Sequence, residues 1–154
     1  MLMFARLRLA ARASRLRFLT SMGLLAAGVA LAGDELAAET CLRTKVWDSY
    51  AEGYGVRTMT STSLAQGATR NYLVTLYKGN EYQIRTCSDD LVKNLDVYLY
   101  DLDGKVIAQD ATVDREPGFG YNPTSTGTFY IVVHARELTD ATKEAGVAMA
   151  VTYK

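Results

Sequence analysis

The stretch 95–110, LDVYLYDLDGKVIAQD, constrains the chain most. Leu95, Val97 and Leu99 share one parity, and Asp96, Tyr98 and Tyr100 share the other. A period of two marks a strand with one apolar and one wetter face. Residues 101–104 then supply a turn, because short polar side chains bond the local backbone and Gly104 accepts positive φ. Val106 and Ile107 restart an apolar run, so the stretch reads as a hairpin in an antiparallel sheet. Nothing in it reads as a reaction centre.

The alternation recurs along the chain. Tyr72, Val74 and Leu76 alternate with Leu73, Thr75 and Tyr77, and Gly79-Asn80 separates this strand from 82–87. There Tyr82, Ile84 and Thr86 oppose Gln83, Arg85 and Cys87, which points Cys87 away from the core. Residues 57–64 read as a weaker first strand or edge segment, 88–94 as a polar loop, and Phe119 with Tyr121 as part of a strand. Residues 129–135 are apolar at both parities apart from His134, which predicts a central strand covered on both faces, partly by a helix. A polar connection over 136–144 leads to the last inward row, Val147, Met149, Val151 and Tyr153. Its neighbours Ala148, Ala150 and Thr152 are small enough to lie under another element. Seven or eight short strands with regular turn signals predict an all-β fold, an antiparallel β-sandwich or jelly roll. Ahead of them, 34–50 predicts one short helix capped by Asp34, with Ala38, Leu42, Val46 and Tyr50 as its apolar stripe. That helix cannot bury its stripe alone and is expected to pack outside the sheets.

The first 32 residues stand apart from this pattern. Arg6, Arg8, Arg12, Arg15 and Arg17 precede an uncharged apolar run over 18–31, and Ala30 and Ala32 give a small-x-small site before Gly33. This predicts a secretory signal peptide over 1–32 and a single domain over 33–154, on the secreted or periplasmic side. A retained anchor is disfavoured because the apolar run is short for a span, and a transit peptide because the apolar core is compact. The 154 residues hold 17 basic and 17 acidic side chains, and five arginines leave with the leader. The mature domain is then 12 − 17, a net −5, which argues against nucleic acid or an anionic lipid surface as partner. Its 122 residues (154 − 32) fit one domain, and no membrane span is expected in it.

Cys41 and Cys87 remain in that domain. An oxidising compartment predicts a disulfide between them, tying the helix to the sheet. Chain entropy gives such a loop about 3–4 kcal/mol. Without Cys-x-x-Cys, and with His134 as the only histidine, a zinc site lacks ligands.

Leu95 to Asp101, Asp103-Gly104, Pro123-Thr124 and Thr126 to Val133 together resemble the bacterial pre-peptidase C-terminal domain. The likeness runs over about 69–153 and leaves the helix unexplained. It implies a jelly-roll-like sandwich that sits beside secreted proteases and assists secretion, localisation or substrate binding, sometimes with calcium. Within these residues there is no peptidase for it to serve. Asp101, Asp103 and Asp110 are the carboxylates nearest to a calcium set, but strand spacing does not bring six to eight oxygens together. The expectation is a solvated turn with no metal, and Asp89-Asp90 reads as a charged loop.

Catalysis finds little support. A serine triad needs a nucleophile and an imidazole, yet His134 closes an apolar strand and no Gly-x-Ser-x-Gly occurs. No spacing pairs two carboxylates across a cleft, and no phosphate loop or cofactor motif is present. The chain is expected to be no enzyme and to carry no cofactor. Two non-enzymatic classes remain. One is a binding module for glycan, peptide or protein with Tyr98 and Tyr100 on its contact face. The other is a structural or assembly subunit of a homo-oligomer or complex. Ten tyrosines serve either as strand packing or as such a face.

Overall fold

The computed structural model describes residues 32–154. The leader reading falls on residues 1–31 and lies outside them. One helix, α1 (Glu35–Ala51), precedes eight strands: β1 (Gly55–Ala65), β2 (Thr69–Leu76), β3 (Tyr82–Ser88), β4 (Val92–Tyr100), β5 (Val106–Asp110), β6 (Gly118–Tyr121), β7 (Gly127–Leu138) and β8 (Glu144–Tyr153). The strands form two four-stranded sheets, β1-β8-β3-β6 and β2-β7-β4-β5, and every pairing is antiparallel. Successive strands change sheet except at the β4–β5 hairpin, which is the strand order of a jelly roll.

Period-two alternation places the core. Ile84, Val97, Leu99 and Val151 are fully buried, and Val147 and Met149 nearly so, between the two sheets. The outer face of the first sheet carries a second, smaller core, in which Ala148, Ala150 and Cys87 meet Ala38 and Leu42 of α1. Small residues on β8 let the helix approach its backbone. Cys41 and Cys87 are disulfide-bonded there, with Cα atoms 5.9 Å apart. The outward parity of Cys87 is therefore burial under the helix rather than exposure.

Asp34 caps α1 by accepting the Ala37 N–H at 2.9 Å. Past the helix C-terminus, Gly53 takes a φ of 91°, which a side chain disfavours. Ala38, Leu42 and Ser49 are the buried residues of α1, whereas Tyr50 is 64% exposed. A strict spacing of four advances about 40° per step on a helix of 3.6 residues per turn. Tyr50, three steps from Ala38, has therefore rotated off the packed face, and Ser49 takes its place.

Other expectations shift for similar reasons. The polar loop 88–94 is mostly strand, with Ser88, Val92 and Asn94 buried. The β7 strand continues to Leu138, beyond the expected start of the connection, and buries that residue. The double-sided strand at 129–135 does not lie beneath the helix, which packs on β8, β3 and β1 of the opposite sheet. The strand covered on both faces is β8, where residues 145–152 are all buried.

Candidate functional site: the uncovered face of the second sheet

With the helix on one sheet, the outer face of β2-β7-β4-β5 has no element over it among the described residues. Register aligns its side chains in rows. Thr69, His134 and Asp96 form one row. Asn71, Val132, Tyr98 and Gln109 form the next. Leu73, Tyr130, Tyr100 and Val106 form the third. The face thus runs from charged at one end to apolar at the other.

At the charged end, Asp96 is fully buried although its parity points to water. Three groups converge on its Oδ2. The Tyr98 hydroxyl donates at 3.1 Å, Arg136 Nη1 donates at 3.2 Å, and His134 Nδ1 lies at 3.5 Å. These side chains roof the carboxylate, and register brings two of them from the neighbouring strand. Asp96 Oδ1 has no hydrogen-bond partner among the described residues. Burial, then the hydrogen bond to Asp96 and the charge of that carboxylate, raises the Tyr98 hydroxyl above its ordinary 10.0. No hydroxyl hydrogen-bonds the His134 ring among the described residues, so the imidazole has an acid beside it and no activated nucleophile.

At the apolar end, Tyr98 and Tyr100 are half-buried with ring centroids 5.9 Å apart and planes at 34°. Tyr130 and Leu73 extend the same surface and are more open, 40% and 65% exposed. A shallow hollow of about 250 Å³ lies among Asn71, Tyr100, Leu102, Gly104, Tyr130 and Val132. Tyr130 escapes a sequence reading that assigns two-sided cover to β7. The visible signal is an unbroken apolar strand, and it does not say which sheet the helix covers.

The remaining candidates are held by their own surroundings. Asp101 Oδ1 accepts the N–H groups of Asp103 and Lys105 at 3.0 and 2.9 Å, closing the hairpin turn. Asp110 accepts from Thr112 and from the Gly118 N–H. It sits at the far end of β5 from Asp101, roughly 13 Å away at about 3.3 Å per residue. Cys41, Cys87 and Glu116 place ligand atoms within 4.8 Å of one another, but both sulfurs are spent in the disulfide and Glu116 pairs with Lys45 at 2.8 Å. A hollow of about 450 Å³ beside α1 is lined by Asp89, Asp90, Asp114, Arg115 and Glu116. Asp89, read as part of a charged loop, is buried there and accepts three backbone N–H groups. No described helix is long and apolar enough to cross a membrane.

No family profile and no curated protein matches the chain. Among solved structures it is similar to PliG of Aeromonas hydrophila, a periplasmic inhibitor of g-type lysozyme. That likeness has 11% identity and a TM-score of 0.47, and covers 67% of this chain and 90% of the other. It is also similar to the pre-peptidase C-terminal domain of a Bacillus anthracis collagenase, at 17% identity and a TM-score of 0.44 over 61% and 87% of the two chains. A third likeness, to a CBM4 structure, has 14% identity and a TM-score of 0.42 over 66% and 79%. The pre-peptidase resemblance therefore stands as a distant structural likeness shared with other all-β domains, and it names no ligand.

Proposed function

We propose that this chain is a secreted or periplasmic, non-catalytic binding module that meets a protein or glycan partner on the outer face of β2-β7-β4-β5. One observation carries the reading. Among the described residues the one helix packs on one sheet and leaves Tyr98, Tyr100, Tyr130, Val132 and Leu73 together on the other. Aromatic side chains in such a patch supply most of the energy of a contact, and a polar rim sets its orientation. The Asp96, His134 and Arg136 cluster forms that rim on one side. The shallow hollow suits an extended or flat partner better than an enclosed small molecule.

The test is a glycan and peptide panel, followed by titration calorimetry on any hit. Tyr100→Ala and Tyr130→Ala are each expected to weaken binding about tenfold or more, with the thermal midpoint unchanged. A panel without a saturable ligand, or binding indifferent to both substitutions and to Tyr98→Ala, removes the module reading. A second reading has its own support: Val56 and Met59 on the free β1 edge and Leu73 on the free β2 edge are all exposed. Such edges favour self-association. Sedimentation showing a monomer over a wide concentration range removes that reading.

A further inference from the structure

Residues 33 and 34 are clamped onto β1, the β3–β4 loop and β8. The Gly33 N–H donates to Ser63 Oγ at 3.1 Å, and Ser63 Oγ donates onward to Glu35 Oε1 at 2.9 Å. The Asp34 N–H donates to Asp89 Oδ2 at 2.9 Å, and the Gly146 N–H donates to the same oxygen at 2.6 Å. Asp89 Oδ1 takes the Leu91 N–H at 2.9 Å. Asp89 is 5% exposed and serves as a buried knot joining Asp34, the β3–β4 loop and β8. Two glycines make the closeness possible. A Cβ on Gly33 would overlap the backbone of Ala145 and Gly146, and a Cβ on Gly146 would overlap the Asp34 backbone. Ala32, the first described residue, is exposed. Among the described residues, Gly33, which follows the small-x-small site, is the first to join the clamp.

We infer that the Ala32–Gly33 bond is cut before this clamp closes and that the folded domain protects it afterwards, so that Gly33 becomes a docked N-terminus. The inference rests on the leader reading, not on the binding face. The step is a hydrolysis. A leader endopeptidase adds one water across the amide, the C–N bond breaks, Ala32 leaves with a carboxylate, and Gly33 gains an α-ammonium. An endopeptidase needs several residues on both sides of the bond in extended form. In the folded chain, the residues after the bond lie against β8 and enter α1 at once. The new ammonium stays at Ser63, with the Glu35 carboxylate one hydrogen bond away.

The experiment presents the full 154-residue precursor to a purified leader endopeptidase, once folded and oxidised and once reduced and unfolded. The expected result is cleavage at least about tenfold slower for the folded form, as required when cutting awaits local opening, with mass spectrometry showing Gly33 first in the exported protein. Equal rates, a retained leader, or an exported chain that begins at any other residue overturns the inference. Gly33→Ala keeps a small residue after the cut, so the unfolded variant should still be cleaved, while the folded variant should lose its protection. Should that variant fail to fold, Ser63→Ala removes two clamp bonds, from the Gly33 N–H and to Glu35, without overlap and is expected to speed cleavage of the folded precursor. No acceleration in Ser63→Ala would then count against the clamp.

Discussion

Asp96 shows how a single carboxylate can sit on the wet parity of a strand and meet no water. Its three neighbours reach it over the sheet face, and two of them, His134 at 28% and Arg136 at 57% side-chain exposure, keep contact with solvent. Asp96→Asn preserves the shape and removes the charge. Arg136 and His134 regain water but the buried position loses its charge-assisted hydrogen bonds, so the stability loss is expected at about 1–3 kcal/mol. The Tyr98 hydroxyl should titrate lower in that variant, since the anion beside it is one of the causes that hold it up. Ultraviolet titration of tyrosinate reads this directly, and an unmoved curve would refute the coupling. Asp110 works in the opposite sense. Burial pushes its carboxyl up, but hydrogen bonds from Thr112 and the Gly118 N–H outweigh burial and leave it below the ordinary 3.8. A carboxylate depressed by folding contributes stability at pH values above its unfolded range, and that contribution is lost as acid protonates the folded form. Thermal midpoints should therefore fall from pH 5 towards pH 3 less in Asp110→Asn than in the parent.

The contact between helix and sheet gives the element scale its test. Ala148 and Ala150 lie fully or almost fully buried under α1. Ala150→Leu forces three extra heavy atoms into that seam, with an expected cost of about 1–3 kcal/mol. Hydrogen exchange should show the loss in α1 before it shows it in the sandwich, and uniform deprotection would contradict a separable second core. The small residues of β8 announce this seam in the sequence, as do Asp34 as cap and the odd parity of Cys87. Tyr50 and residues 129–135 mislead for one reason each. Helical spacing drifts, so a stripe at steps of four leaves the packed face. An apolar run also records that two faces are apolar without recording what covers them. Asp89 and Asp96 were beyond reach of a linear reading, because their burial depends on partners more than 30 residues away, brought close by register and by the sheet-to-sheet connections.

At the scale of the whole molecule, strand parity yields the sandwich, and the pairing order makes it a jelly roll. Sequence periodicity gives each strand's faces but not its neighbours, so the rows joining Tyr98 to Val132 and Tyr100 to Tyr130 come only from the fold. The candidate site was legible as two tyrosines and not as a surface. The two sheets differ in one respect that bears on where the chain works. One back is closed by a helix whose attachment includes a single covalent bond, Cys41 to Cys87. Severing that bond with a thiol should let α1 drift and uncover the oily strip of Ala148 and Ala150 on the back of the first sheet. Dye uptake and light scattering that rise on reduction would register it, and a thiol-rich cytosol would then be a place where this protein sticks to itself before it meets anything else.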